Sequence, residues 1–79
     1  MYVELENFET GWYGVSLGLK KEEIDGLIEQ LMNLKTHLGQ HFHLTSYYKG
    51  EGGIGNIEFY VQEEYDDNMT IMGEAITPT

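Results

Sequence analysis

Hydrophobic and polar positions change their period along this chain, and the changes divide it into elements. Over residues 1–8, Val3 and Leu5 fall on one side and Glu4 and Glu6 on the other, the alternation of a half-buried strand. Glu9-Thr10-Gly11 is a turn signal. Residues 12–19 then alternate again, with Tyr13, Val15, Leu17 and Leu19 on one face and Trp12, Gly14, Ser16 and Gly18 on the other. Two alternating segments joined by a short glycine-containing loop predict a β-hairpin. Gly14 and Gly18 share a strand face, so Trp12 or a neighbouring aromatic can lie flat over the backbone there.

The repeat then lengthens. Ile24, Leu27, Ile28, Leu31, Leu34 and Leu38 recur at helical spacing over residues 20–38, and Lys35 can lay its stem along the same stripe. Glu22, Glu23 and Asp25 sit where the helix dipole favours anions, and Gly39 is a natural stop. No Ser, Thr, Asp or Asn stands as an N-cap, so the start is open by a residue or two. Gly26 inside the helix costs about 1 kcal/mol relative to Ala, which close packing on a sheet would offset.

Residues 40–48, QHFHLTSYY, predict a third strand with Phe42 and Leu44 on one face and His41, His43, Thr45 and Tyr47 on the other. A glycine-rich loop, residues 49–55, leads to a fourth strand over residues 56–62, with Ile57, Phe59 and Val61 facing in and Glu58 and Tyr60 facing out. The acidic turn EEYDD, residues 63–67, precedes a fifth strand over residues 68–76. The order β-β-α-β-β-β predicts one α+β domain over residues 1–79, a two-layer fold with one amphipathic helix on a mainly antiparallel sheet of about five strands. Its expected core takes Val3, Leu5, Tyr13, Val15 and Leu17 from the hairpin and Ile24, Leu27, Ile28, Leu31 and Leu34 from the helix. Phe42, Leu44, Ile57, Phe59, Val61 and Ile71 complete it.

A helix about 10–12 Å wide cannot cover a sheet roughly 20 Å across, and it leaves the other sheet face bare. That second face would carry Trp12, His41, His43, Tyr47, Glu58 and Tyr60, which is too aromatic for a purely solvated surface. Such a patch marks a partner, a ligand or a subunit interface. In a chain of only 79 residues, whose single core is marginal, pairing into a homodimer is the natural remedy.

Charge narrows the partner. The formal net charge is −10, from 14 Asp and Glu against 4 Lys and no Arg. Nucleic-acid phosphates and anionic membranes would be repelled, whereas cations and basic protein surfaces would be drawn in. There are no cysteines to form disulfides. No apolar run approaches the ~18 residues a membrane span needs, and MYVELENFE lacks the pattern of a secretory signal. The expectation is a soluble cytoplasmic protein.

Candidate chemistry is sparse. His41-x-His43 offers two imidazoles from one strand face, with Glu58 or His37 as a third ligand. Two histidines without fixed third and fourth positions do not make a site, so no metal or other cofactor is expected. A small-molecule or metal-binding module built on this face stands as the alternative function. Ser16 and Ser46 lie in no nucleophile motif, and nothing places a substrate between His43 and Glu58, so no enzyme is expected. GEGGIG precedes a strand rather than a helix and reads as a hairpin loop, not a phosphate cradle. The turn containing Glu63, Glu64, Tyr65, Asp66 and Asp67 lacks calcium-loop spacing and reads instead as a second binding surface, with charges for steering and an aromatic anchor.

The strand pair containing GVSLGL, the amphipathic helix, the His-x-His strand QHFHL and the strand NIEFYVQ together resemble small immunity proteins of bacterial polymorphic toxin systems. Immunity protein family thirty-two is the nearest group, and the resemblance spans residues 12–62. It implies a toxin-neutralising inhibitor that works by protein binding and has no catalytic activity of its own.

Overall fold

A computed structural model of the chain describes residues 1–63 and 67–71. Five elements follow one another: β1 (Tyr2–Asn7), β2 (Tyr13–Gly18), α1 (Lys21–Thr36), β3 (His41–Thr45) and β4 (Asn56–Tyr60). Each matches an element expected from the pattern, trimmed by no more than three residues at an end.

The first hairpin is antiparallel, with Val3 opposite Leu17, Leu5 opposite Val15 and Asn7 opposite Tyr13. Its loop is held by Phe8 N–H donating to the Trp12 carbonyl at 3.1 Å and by Glu9 N–H donating to Asn7 Oδ1 at 2.9 Å. The ring lying over Gly14 is that of Phe8; a Cβ built there would come 2.7 Å from Phe8 Cζ.

Helix α1 starts at Lys21 without a conventional N-cap, because the third helical residue does the capping. Lys20 N–H donates to Glu23 Oε1 at 2.8 Å, and Glu23 N–H donates to the Lys20 carbonyl at 2.9 Å. This is the half of a capping box that needs no Ser or Thr. At the far end His37 N–H donates to the Asn33 carbonyl at 2.9 Å, and Gly39 turns the chain out with φ of 90°.

In the second hairpin Phe42 faces Phe59 and Leu44 faces Ile57. The two phenyl rings stack at 4.8 Å with 4° between their planes. Beyond Thr45 a single further rung forms, Ser46 N–H to the Gly55 carbonyl at 2.8 Å. Tyr48 N–H then donates to Ser46 Oγ at 2.8 Å, and Tyr48 adopts φ of 54°, which ends the extended run.

The two hairpins remain separate two-stranded sheets, so the single sheet of about five strands is not what the described residues form. The expected fifth strand falls partly on residues 68–71, which are not strand, and partly outside the described residues. Local hairpins close short loops and form readily, whereas joining β1 to β3 requires pairing across the whole helix connection. A cavity of about 230 Å³ lies where that pairing would be, between Met1, Tyr2 and Val3 on one side and Leu44, Thr45 and Tyr47 on the other.

Helix and sheets do not close over one another either. Leu34, at 7 % exposure, is the one buried residue among the described residues. Val3, Leu27, Phe42, Leu44, Ile57, Phe59 and Val61 are half-buried. Leu5, Tyr13, Val15, Leu17, Ile24, Ile28, Leu31 and Ile71, all expected in the core, are exposed. The reason is geometric: among the described residues, no layer lies against the apolar face of β1–β2 or the outer half of the helical stripe. A cavity of about 440 Å³ between α1 and β3 is lined by Leu19, Gly26, Leu27, Phe42 and Leu44.

Candidate functional site

Strand alternation decides which side chains of the second hairpin meet. With Phe42 and Phe59 on one face, His41, His43, Glu58 and Tyr60 share the other. Pairing sets His43 directly opposite Glu58, and His41 opposite Tyr60. The His41 and His43 rings meet edge-to-face with centroids 5.0 Å apart. His41 Nε2 stands 4.0 Å from Glu58 Oε1, an ion pair only when the ring carries a second proton and too long for a hydrogen bond. Potential ligand atoms of His41, His43 and Glu58 all lie within 4.8 Å of one another, and all three side chains are exposed.

Beside this trio is an open cavity of about 900 Å³. His41, Glu58, Tyr60, Glu63 and Asp67 line it, so two of the acidic residues after β4 stand beside the histidine face. Gln62 Nε2 donates to Asp67 Oδ1 at 3.1 Å. Glu64, Tyr65 and Asp66 lie outside the described residues.

Other residues expected on this surface sit elsewhere. Trp12 belongs to the β1–β2 loop and is 76 % exposed, on a different sheet from the histidines. Tyr47 lies past the end of β3 and borders the cavity between β1 and β3, where it has no part in the histidine face. His37 is not among the side chains whose ligand atoms converge with those of the histidine pair; its Nδ1 lies 3.2 Å from the Asn33 carbonyl and 2.9 Å from Thr36 Oγ1.

A second surface escaped the sequence reading because its residues looked like core. Leu5, Tyr13, Val15 and Leu17 form a continuous apolar face on the first hairpin, and Ile24, Ile28, Leu31 and Met32 are exposed on α1. The signal that marks them is the mismatch between one helix and the amount of patterned apolar face it would have to cover.

Electrostatically, Glu23 is held below the ordinary glutamate range. Lys20 N–H donates to it and the N-terminal ammonium bonds it at 2.9 Å; desolvation opposes these, and the nearby positive charges add the least. Among the described residues no helix is long and apolar enough to cross a membrane.

No family model, curated protein or solved structure matches the chain.

Proposed function

We propose that this chain is a small acidic interaction protein without chemistry of its own, an inhibitor or immunity protein that neutralises a more basic protein. The observation that carries this reading is the exposure of residues patterned for a core. The accessible surface is 7789 Å² for a 9.1 kDa chain. A compact chain of that mass exposes about 4,900 Å². Leu5, Tyr13, Val15, Leu17, Ile24 and Ile28, all patterned for a core, are among the residues that carry this excess exposure.

The partner supplies the missing layer. It covers the Leu5, Val15 and Leu17 face and the helical stripe, while Glu63, Asp67 and the overall −10 charge select a basic surface. In the bound state β1 and β3 close into the wider sheet that the pattern predicts. A second copy of the chain is the competing occupant, and its like charge disfavours it.

The test is calorimetric titration against the proteins encoded by the neighbouring genes. Saturable binding with a negative heat-capacity change supports the reading, provided that Leu17→Asp and the double reversal Glu63→Lys, Asp67→Lys each weaken it. Binding by none of those proteins, or binding indifferent to both variants, overturns it.

A further inference from the structure

We propose that His41, His43 and Glu58 form a site for one late first-row divalent ion, with Zn²⁺ as the reference, on the polar face of the β3–β4 hairpin. This site stands on its own geometry and does not depend on the partner reading.

The third ligand is what turns a histidine pair into a site, and strand register supplies it. His43 faces Glu58 across the ladder, and His41 reaches the same carboxylate on the diagonal. Two ligands about 2.1 Å from a tetrahedral ion stand about 3.4 Å apart. The ligand atoms here lie within 4.8 Å, so the gap closes by little more than an ångström. Small χ rotations of exposed side chains provide that movement. The groups surround a space rather than bonding one another, since the closest His41–Glu58 approach is 4.0 Å and the imidazole rings are perpendicular.

The ladder beneath is held from its other face. Phe42 sits between the two histidines in sequence, Phe59 lies beside Glu58, and their rings stack at 4.8 Å. Side chains that project from a stacked strand pair start from a fixed spacing, which lowers the entropy lost on coordination.

Donor type selects the ion. Two imidazoles and one carboxylate suit zinc, nickel, cobalt or copper(II), whereas magnesium and calcium require mostly oxygen ligands. Three protein ligands on an exposed face leave coordination positions open. His41 and Glu58 also line the cavity that holds Tyr60, Glu63 and Asp67, so water or an incoming donor can reach the ion to complete the shell. The two carboxylates there add a local attraction for the cation.

The experiment titrates ZnCl₂ alone into the purified chain by calorimetry, with CoCl₂ as the spectroscopic probe. One ion binds per chain and saturates, and cobalt gives ligand-field absorption in the visible. Imidazole nitrogen NMR on the unmodified protein shows His41 and His43 shifting with Zn²⁺ and His37 unmoved, a readout independent of any variant's folding. His41→Ala, His43→Ala and Glu58→Gln each weaken Zn²⁺ binding at least about tenfold, while His37→Ala leaves it unchanged. Uptake that never saturates, equal shifts at all three histidines, or a His37→Ala loss matching that of His41→Ala would mean adventitious surface binding and overturn the site.

Discussion

Glu23 shows how one side chain can replace a missing signal. Its two carboxylate oxygens accept from Lys20 N–H and from the N-terminal ammonium, so one residue caps α1 and ties the start of β1 to it. Both bonds favour the charged form, which is why its pKa is lowered, first by the Lys20 backbone bond and then by the ammonium. A carboxyl with a lowered folded-state pKa adds stability above its unfolded value, and that contribution fades as pH falls through the lowered one. Glu23→Gln therefore lowers the melting temperature at neutral pH. The gap to the unmodified chain narrows in acid, as both carry a neutral group there. Helix melting by far-UV circular dichroism across the acid range measures this. A gap that stayed constant would assign the effect to shape rather than charge.

At the scale of elements, α1 and the second hairpin make separate predictions. A Cβ built on Gly26 meets nothing within 4 Å, so close packing does not explain the glycine in the isolated chain. Gly26→Ala should stabilise the helix by about 1 kcal/mol. In a domain of this size that raises the melting temperature by about 5 °C. Gly26 also lines the apolar cavity with Leu27, Phe42 and Leu44, so the same methyl group should weaken binding if a partner side chain seats there. Phe59→Ala removes one ring of the stacked pair and should cost about 2 kcal/mol, less than a fully buried phenylalanine because the ring is half-exposed. Chemical denaturation measures the loss. These elements were legible because each carries its own period: alternation in the strands, helical spacing between Ile24 and Leu34, glycine-rich loops at the turns. The helix start was legible to within a residue, but its cap was not, because it comes from Glu23 reaching backward. The end of β3 was missed because the Ser46 hydroxyl captures Tyr48 N–H, a local bond that competes with the ladder. The histidine face was half legible. Alternation put His41 and His43 together, but the choice between Glu58 and His37 needed the register.

At the scale of the molecule, the way the elements assemble was not in the pattern, because what covers an apolar face need not belong to the same chain. Leu5, Val15 and Leu17 carry the alternation of buried residues yet are exposed, so the pattern encodes burial that the described residues do not complete. Charge then separates the two possible covers. A basic partner approaches a −10 chain through a long-range attraction. That attraction is cut as the Debye length shrinks from about 30 Å at 0.01 M salt to about 10 Å at 0.1 M. Association with such a partner should slow by at least about tenfold over that range, since steering acts on the on-rate. Dissociation should change little with salt and instead speed up in Leu17→Asp, where the apolar contact is lost. A homodimer of this chain behaves in the opposite sense. Two copies of charge −10 repel, so added salt screens the repulsion and strengthens the dimer. Stopped-flow association with the partner, and sedimentation of the chain alone at both salt concentrations, separate these cases. A dimer that tightens with salt while no basic partner binds would transfer the apolar face from a target protein to a second copy.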